Sequence, residues 1–289
     1  MIARPGGGGT LEQLEHGAIG TRLGEGLAEG GPLGETAMAR TLEAVETFAA
    51  RVRVHGAQPF AIATSAMRRA SNAAEFSERV RALVGAGVRV LDGGEEGACS
   101  FRGATASAPR DGRRRAVLDV GGGSTECAAG RDGVLDRARS VEIGSVRLTE
   151  RFPDLAGNAP GERARAAAAA ARRTAAQMLA WLGDYRPVDE VRCVAGTPLT
   201  VGAIAFDSHV DRVSGRELSR AALDGVIADL LERDLASRKA VPGMLAQRAD
   251  VLPAGGIIVS EALRLLGRDS ALLEADDLLL GFLLGVKNE

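Results

Sequence analysis

Residues 116–129, A-V-L-D-V-G-G-G-S-T-E-C-A-A, constrain this chain more tightly than any other stretch of it. The apolar run Ala116, Val117, Leu118 ends in Asp119. After Val120 come Gly121, Gly122, Gly123, Ser124, Thr125 and Glu126, and then a second short apolar run. The pattern predicts strand, tight glycine turn, strand. Glycines carry no Cβ and tolerate positive φ, so successive backbone N–H groups can converge on one point and hold an anion, most naturally a phosphate. Asp119, at the strand end beside that pocket, is placed to bind Mg²⁺ directly or through water. An ordinary glycine hairpin with an aspartate at its mouth would carry the same letters, so the surrounding chain must decide. No Gly-Lys-Ser/Thr follows, which excludes a Walker loop. A strand follows instead of a helix, which excludes a dinucleotide fingerprint.

The 289 residues suffice for one large or two medium domains. Hydrophobic content of 45% and charged content of 26% are those of a soluble globular protein, and 3% aromatics leave an aliphatic core. A formal charge of −2 gives no global reason to expect nucleic acid or a membrane surface as partner. Any polyanion must meet a local basic patch. Lys239 and Lys287 are the only lysines, and the arginines are spread along the chain, which a compositional bias of the genome explains more cheaply than phosphate recognition. Cys99, Cys127 and Cys193 form neither a metal-type pair nor an even disulfide set, and His16, His55 and His209 are equally scattered; a reducing cytoplasm fits. There is no charged-then-apolar leader, and no uncharged apolar run approaches the ~18 residues that span a bilayer.

In chain order, residues 1–10 with their four glycines predict a loose end or an expanded hairpin turn, and residues 10–31 a strand edge and a loop. Met38, Leu42, Val45, Ala49 and Val52 recur at helical spacing from Glu35 onward. A strand at 59–64, a helix opened by Asn72 with Glu75 as capping-box partner, a strand at 88–91 and a helix starting at Glu95 and Glu96 follow. Beyond the glycine hairpin come a strand at 140–143, helices at 145 and 161–182, and a strand at 188–194 that turns into a helix at A-G-T-P. Helices at 219–235 and 256–266, a strand at 271–273 and a helix at 276–284 close the chain. This order predicts an α/β layer architecture.

Six collinear stretches carry a resemblance: A-T-S-A-M-R-R-A-S-N (63–72), G-G-E-E-G-A (93–98), L-D-V-G-G-G-S-T-E (118–126), V-E-I-G-S-V-R-L-T-E-R-F (141–152), V-A-G-T (194–197) and R-A-D-V-L-P-A-G (248–255). From about residue 9 onward the chain resembles the exopolyphosphatase / guanosine pentaphosphate phosphatase family of the actin and sugar-kinase superfamily. The resemblance implies an α/β fold of two actin-like (ribonuclease H-like) domains with a cleft between them, at 1–101 (incomplete) and 102–289. It implies Mg²⁺-dependent removal of terminal phosphate by water. Glu96 is then the carboxylate that activates the water, facing the glycine loop across the interdomain gap. Asp119 and Glu126 belong to the metal site, Gly121, Gly122, Gly123 and Ser124 to a phosphate loop, and Arg68 is a phosphate-binding arginine of the catalytic set. Phosphoanhydride chemistry needs such a set, because the anions that repel the nucleophile must be met by N–H groups, a cation and a metal, with a base to hold the water.

The family opens with a strand and a first phosphate loop that this sequence lacks, so the first domain is expected to lack its first strand. Either the recorded start lies downstream of the true one or the chain is a shortened member. The expected partners are polyphosphate or guanosine pentaphosphate, with no nucleic acid and no membrane; a homodimer is an assembly open to such a chain. The alternative to the hydrolase is a non-catalytic polyphosphate- or nucleotide-binding regulator that keeps the fold. A third, less favoured alternative is an ATP-dependent small-molecule kinase of the same superfamily.

Overall fold

In the computed structural model, which describes residues 1–7 and 10–286, the chain separates into two units, Met1–Gly93 and Gly94–Glu289. The division lies ahead of Glu95 and Glu96, earlier than the 101/102 boundary read from the sequence. Its cause is visible in the packing: the helix that begins there lies on the sheet of the second unit.

The first unit opens with a hairpin of β1 (Ile2–Pro5) and β2 (Leu11–Glu15), in which Pro5 stands opposite Leu11. The Gly6 N–H donates to the Thr10 carbonyl at 2.9 Å. Gly6 and Gly7 therefore belong to a hairpin connection and not to a loose end; the expectation for Gly8 and Gly9 lies outside the described residues. Helix α1 (Glu35–Val54) buries Met38 and Ala49 of the predicted stripe. Then follow β3 (Ala61–Ala63), α2 (Ser65–Arg69), α3 (Ala73–Val84) and β4 (Val88–Val90), with β3 and β4 paired in parallel. Leu27, Leu33, Met38, Met67, Phe76 and Val80 form the core of this unit. The capping box does not form. Asn72 sits at the helix entrance, but its side-chain carbonyl accepts from the Leu33 N–H at 2.8 Å and its amide donates to the Leu33 carbonyl at 3.2 Å. The residue predicted to cap a helix pins a loop instead.

The second unit begins with α4 (Gly93–Ala104), whose Gly93 closes the first unit, and continues through β5 (Arg114–Val120), β6 (Thr125–Arg131), β7 (Val134–Val141), α5 (Ser145–Arg151) and α6 (Glu162–Met178). Next come β8 (Glu190–Val194), α7 (Gly196–Ala205), β9 (Glu217–Ser219), α8 (Arg220–Leu231), α9 (Leu235–Lys239), α10 (Leu252–Leu266), β10 (Ser270–Leu273) and α11 (Leu278–Val286). The strands form one sheet in the order β7-β6-β5-β8-β10-β9. An antiparallel meander of β5, β6 and β7 is extended by β8 and β10, which run parallel to β5 and are reached through helical connections.

β5 is central and buried on both faces, which is why it reads as an unbroken apolar run. Side chains alternate across a strand, so the sheet has two distinct faces. Ala116, Leu118, Val120, Cys127, Ala129, Val191 and Cys193 belong to the large aliphatic core shared with α5, α6 and α10. Val117, Ala128 and Val194 face the other way, with Phe101 and Ala104 of α4. Asp119 is two residues along from Val117, and Glu126 two residues before Ala128. The same alternation therefore turns both carboxylates toward the α4 side. α4 is held there by a close crossing with α11: a Cβ on Gly281 would run into the Cys99 carbonyl and lie 2.8 Å from the Gly103 nitrogen. Among the described residues no helix is long and apolar enough to cross a membrane.

Candidate active site

Strand pairing lines up the first three groups. Asp119 of β5 stands opposite Glu126 of β6, and Glu126 stands opposite Ser140 of β7, one rung across three strands. Ser140 donates its hydroxyl hydrogen bond to Glu126 Oε1 at 2.6 Å. Helix α4 supplies the rest. Glu96 and Ser100 are four apart and share a helix face; the Ser100 hydroxyl donates to Asp119 Oδ2 at 2.6 Å. Between them Gly97 lets the helix sit close to the strands, since a Cβ there would lie 3.2 Å from Ala138 Cβ and 3.7 Å from Glu126 Cβ. Acidic residues are expected in a first helical turn for the macrodipole alone, but such residues stay solvated. Glu96 is only 6% exposed.

Crowding carboxylates under a helix changes the acidity of Asp119 and Glu126. Burial, opposed by the Ser100 hydroxyl and reinforced by the charges of Asp277 and Glu96, raises the Asp119 pKa to about 7. Burial, with the charges of Glu96 and Asp119, raises that of Glu126 to about 8 against the smaller pull of the Ser140 and Ser124 hydroxyls. Glu126 Oε2 is buried without a hydrogen-bond partner. An orphaned carboxylate oxygen beside a second carboxylate is a donor set that fits a hard divalent cation. Among the described residues no three His, Cys, Asp or Glu side chains converge as a complete metal cage. Mg²⁺ does not need one, because it is commonly held by one or two carboxylates together with water and substrate phosphate.

A pH signature follows. The folded protein keeps protons on Asp119 and Glu126 at pH values where the unfolded chain gives them up. These groups therefore stabilise the metal-free fold fully below about pH 4, and that contribution is lost as pH rises through about 8. Asp119→Asn is expected to flatten the decline and to stabilise the metal-free protein at pH 8 by ~2 kcal/mol. Thermal unfolding in a chelator at pH 5.5 and pH 8 reads this directly. A steeper decline in the variant would contradict it.

The glycine turn is oriented by α5. The Gly121 carbonyl accepts from the Ser145 N–H at 2.9 Å and the Gly122 carbonyl from the Val146 N–H at 3.0 Å. In a trans peptide the N–H points opposite to the carbonyl, so the N–H groups of Gly122 and Gly123 point away from α5. Among the described residues neither these two nor the Ser124 N–H meets an acceptor, whereas the Gly121 N–H is spent on the Ser124 carbonyl at 3.1 Å. The turn thus presents consecutive free donors, as an anion site requires. Gly144, read from the sequence only as a helix start, has a further part: a Cβ there would strike the Gly122 carbonyl and lie 2.6 Å from the Gly123 nitrogen. The stretches around Gly196 and Gly255 close on the same place, since a Cβ on Gly255 would lie 2.8 Å from Thr197 Oγ1 and 3.1 Å from Ser145 Cβ.

Of the residues singled out from the sequence, Glu96, Asp119, Glu126, Gly121, Gly122, Gly123 and Ser124 all belong to the second unit. Glu96 reaches the carboxylates from a helix of that same unit, a correction to the expectation that it faces them across a gap from the first domain. Its charge bears on both Asp119 and Glu126. Arg68 belongs to the first unit, where its Nη1 donates to the Leu91 carbonyl at 2.9 Å. Sequence reasoning missed Ser100, Ser140, Gly144 and Asp277. The serines need strand register and helix face to be seen, and Asp277 reads as an ordinary helix entrance, its Oδ1 accepting from the Leu279 N–H at 2.8 Å.

Known proteins resemble this chain along most of its length. Residues 1–276 match the Ppx/GppA phosphatase family. Exopolyphosphatase 2 of Mycobacterium tuberculosis is 32% identical over 315 residues, covering 99% of this chain and 94% of that protein. The guanosine-5'-triphosphate,3'-diphosphate pyrophosphatase of Aliivibrio fischeri is 28% identical over 272 residues, 93% of this chain but 53% of its own length, so the chain spans about half of that relative. The crystal structure of the Aquifex aeolicus member of the Ppx/GppA family superimposes with a TM-score of 0.77 at 27% identity, over 97% of this chain and 90% of that one. The mixed α/β class read from the sequence is the class of the fold described above, and that fold is shared with these structures. With the family matched across most of its length and the exopolyphosphatase relative across nearly all of it, the chain belongs to the Ppx/GppA phosphatase family.

Proposed function

We propose that the protein is a phosphoanhydride hydrolase that releases terminal phosphate from inorganic polyphosphate or from guanosine pentaphosphate with the help of Mg²⁺. One observation carries the reading: a buried Glu96 beside Asp119 and Glu126, on the sheet whose β5–β6 turn presents free N–H groups. The N–H groups of Gly122, Gly123 and Ser124 bind phosphoryl oxygens; by the family resemblance Arg68 of the first unit is a phosphate-binding arginine. Asp119 and Glu126 would hold Mg²⁺, which when bound offsets the negative charge of the phosphates. Glu96 orients a water and accepts its proton as the water oxygen bonds to the terminal phosphorus. The bridging P–O bond breaks, and its electron pair leaves on the shortened chain. The relative matched over nearly its whole length is an exopolyphosphatase, which favours polyphosphate as substrate. Three free, buried cysteines suit a reducing cytoplasm.

Phosphate release from chains of defined length, and from guanosine pentaphosphate, with and without Mg²⁺ tests the proposal. Stepwise release that stops on chelation is expected. Tight binding of either compound with no release would favour the regulator reading.

A further inference from the structure

The two carboxylates are held alike. Ser100 reaches one oxygen of Asp119 and Ser140 one oxygen of Glu126, each at 2.6 Å. The two serines come from different elements, α4 and β7. Ser100 is 1% exposed, so its hydrogen bond is shielded from bulk solvent. The second oxygen of Glu126 is buried without a partner. A hydroxyl donating to one oxygen takes one of that oxygen's two lone pairs and part of its charge, so it disfavours chelation of a cation by both oxygens at once. Ca²⁺ takes bidentate carboxylates at 2.3–2.6 Å, whereas Mg²⁺ demands near-octahedral single-oxygen ligands at 2.0–2.1 Å.

We propose that Ser100 and Ser140 are positioning residues which occupy one oxygen of each carboxylate, so that Asp119 and Glu126 offer a cation one oxygen apiece and the site favours Mg²⁺ over Ca²⁺. This rests on the metal-assisted reading above but goes beyond it, because it assigns the choice of ion to two hydroxyls that touch neither metal nor substrate. Ser100 has a second consequence. Lying one turn beyond Glu96, it fixes the helix that carries the base to the strand that carries Asp119.

Calorimetric titration of Mg²⁺ and of Ca²⁺ into the full chain holding inorganic phosphate tests the proposal without turnover. The wild type is expected to prefer Mg²⁺. Ser140→Ala is expected to weaken Mg²⁺ binding about 10-fold and to narrow the Mg²⁺-to-Ca²⁺ ratio by a similar factor, and Ser140→Thr to restore both. Ser100→Ala should do the same and also lower kcat at saturating Mg²⁺, with Ser100→Thr as its rescue. An unchanged ion ratio in folded Ser140→Ala and Ser100→Ala proteins, while Asp119→Asn abolishes binding, would overturn the role of the serines and leave the metal site standing. A wild type that binds neither ion would overturn the metal site and this inference together.

Discussion

Glu96→Gln is expected to lower phosphate release by about 10³-fold, the range for loss of a positioned general base, with little change in substrate affinity. Glutamine keeps the shape of the side chain and its place in the first turn of α4, so the packing of Gly97 and Ser100 on the strands is undisturbed. It cannot take a proton from water. The substitution also separates two accounts of the residue. A glutamate present for the helix macrodipole would contribute at most ~1 kcal/mol of stability and nothing to turnover. In the catalytic account the charge is a burden in the metal-free protein, because it raises the pKa of both Asp119 and Glu126. Glu96→Gln should therefore leave the metal-free protein at least as stable as wild type at pH 8, while turnover collapses. Loss of stability with turnover intact would contradict the account.

Gly144→Ala is expected to be nearly as damaging, by a different route. The added methyl has nowhere to go, since the Gly122–Gly123 peptide rests on the Gly144 Cα and the Gly123 nitrogen would lie 2.6 Å from the new carbon. Backbone cannot swing aside as a flexible side chain can, so the turn must shift. The hydrogen bonds from the Ser145 and Val146 N–H groups that aim its carbonyls would shift with it. A stability loss of ~2 kcal/mol is expected from overpacking, together with a rise of at least ~10-fold in KM for polyphosphate as the N–H groups lose their common target. Gly183→Ala serves as the control, because a methyl there meets nothing within 4 Å. Equal KM values for Gly144→Ala and wild type would remove the glycine turn as the phosphate contact.

What the sequence made legible follows from where each element sits. β5 and β6 announce themselves because a central strand is apolar on both faces and three glycines mark the turn between them. β7 is an outer strand carrying Asp136, Arg137 and Arg139, so it shows no alternation, and only its end was legible, in the 140–143 reading. β9 has three residues, too few for any period. Asn72 shows how a long-range partner overrides a local signal: its side chain finds the backbone of Leu33, 39 residues away, before it can cap its own helix. The site was legible as a set of residue types, and Glu96, Asp119 and Glu126 could be named. Their arrangement was not. That α4 belongs with the second sheet depends on glycine contacts with Ala138 and α11, and that Ser100 and Ser140 hold the carboxylates depends on register across three strands.

The central claim is that one face of the β5–β6 hairpin holds a cation while its turn holds a phosphoryl group. Anomalous diffraction from Glu96→Gln crystals grown with Mn²⁺ and tripolyphosphate tests it most directly. The account predicts a Mn²⁺ peak within about 2.3 Å of one oxygen each of Asp119 and Glu126, with the terminal phosphoryl oxygens on the N–H groups of Gly122 and Gly123. A well-ordered tripolyphosphate and Mn²⁺ bound elsewhere, with these groups touching neither, would contradict it.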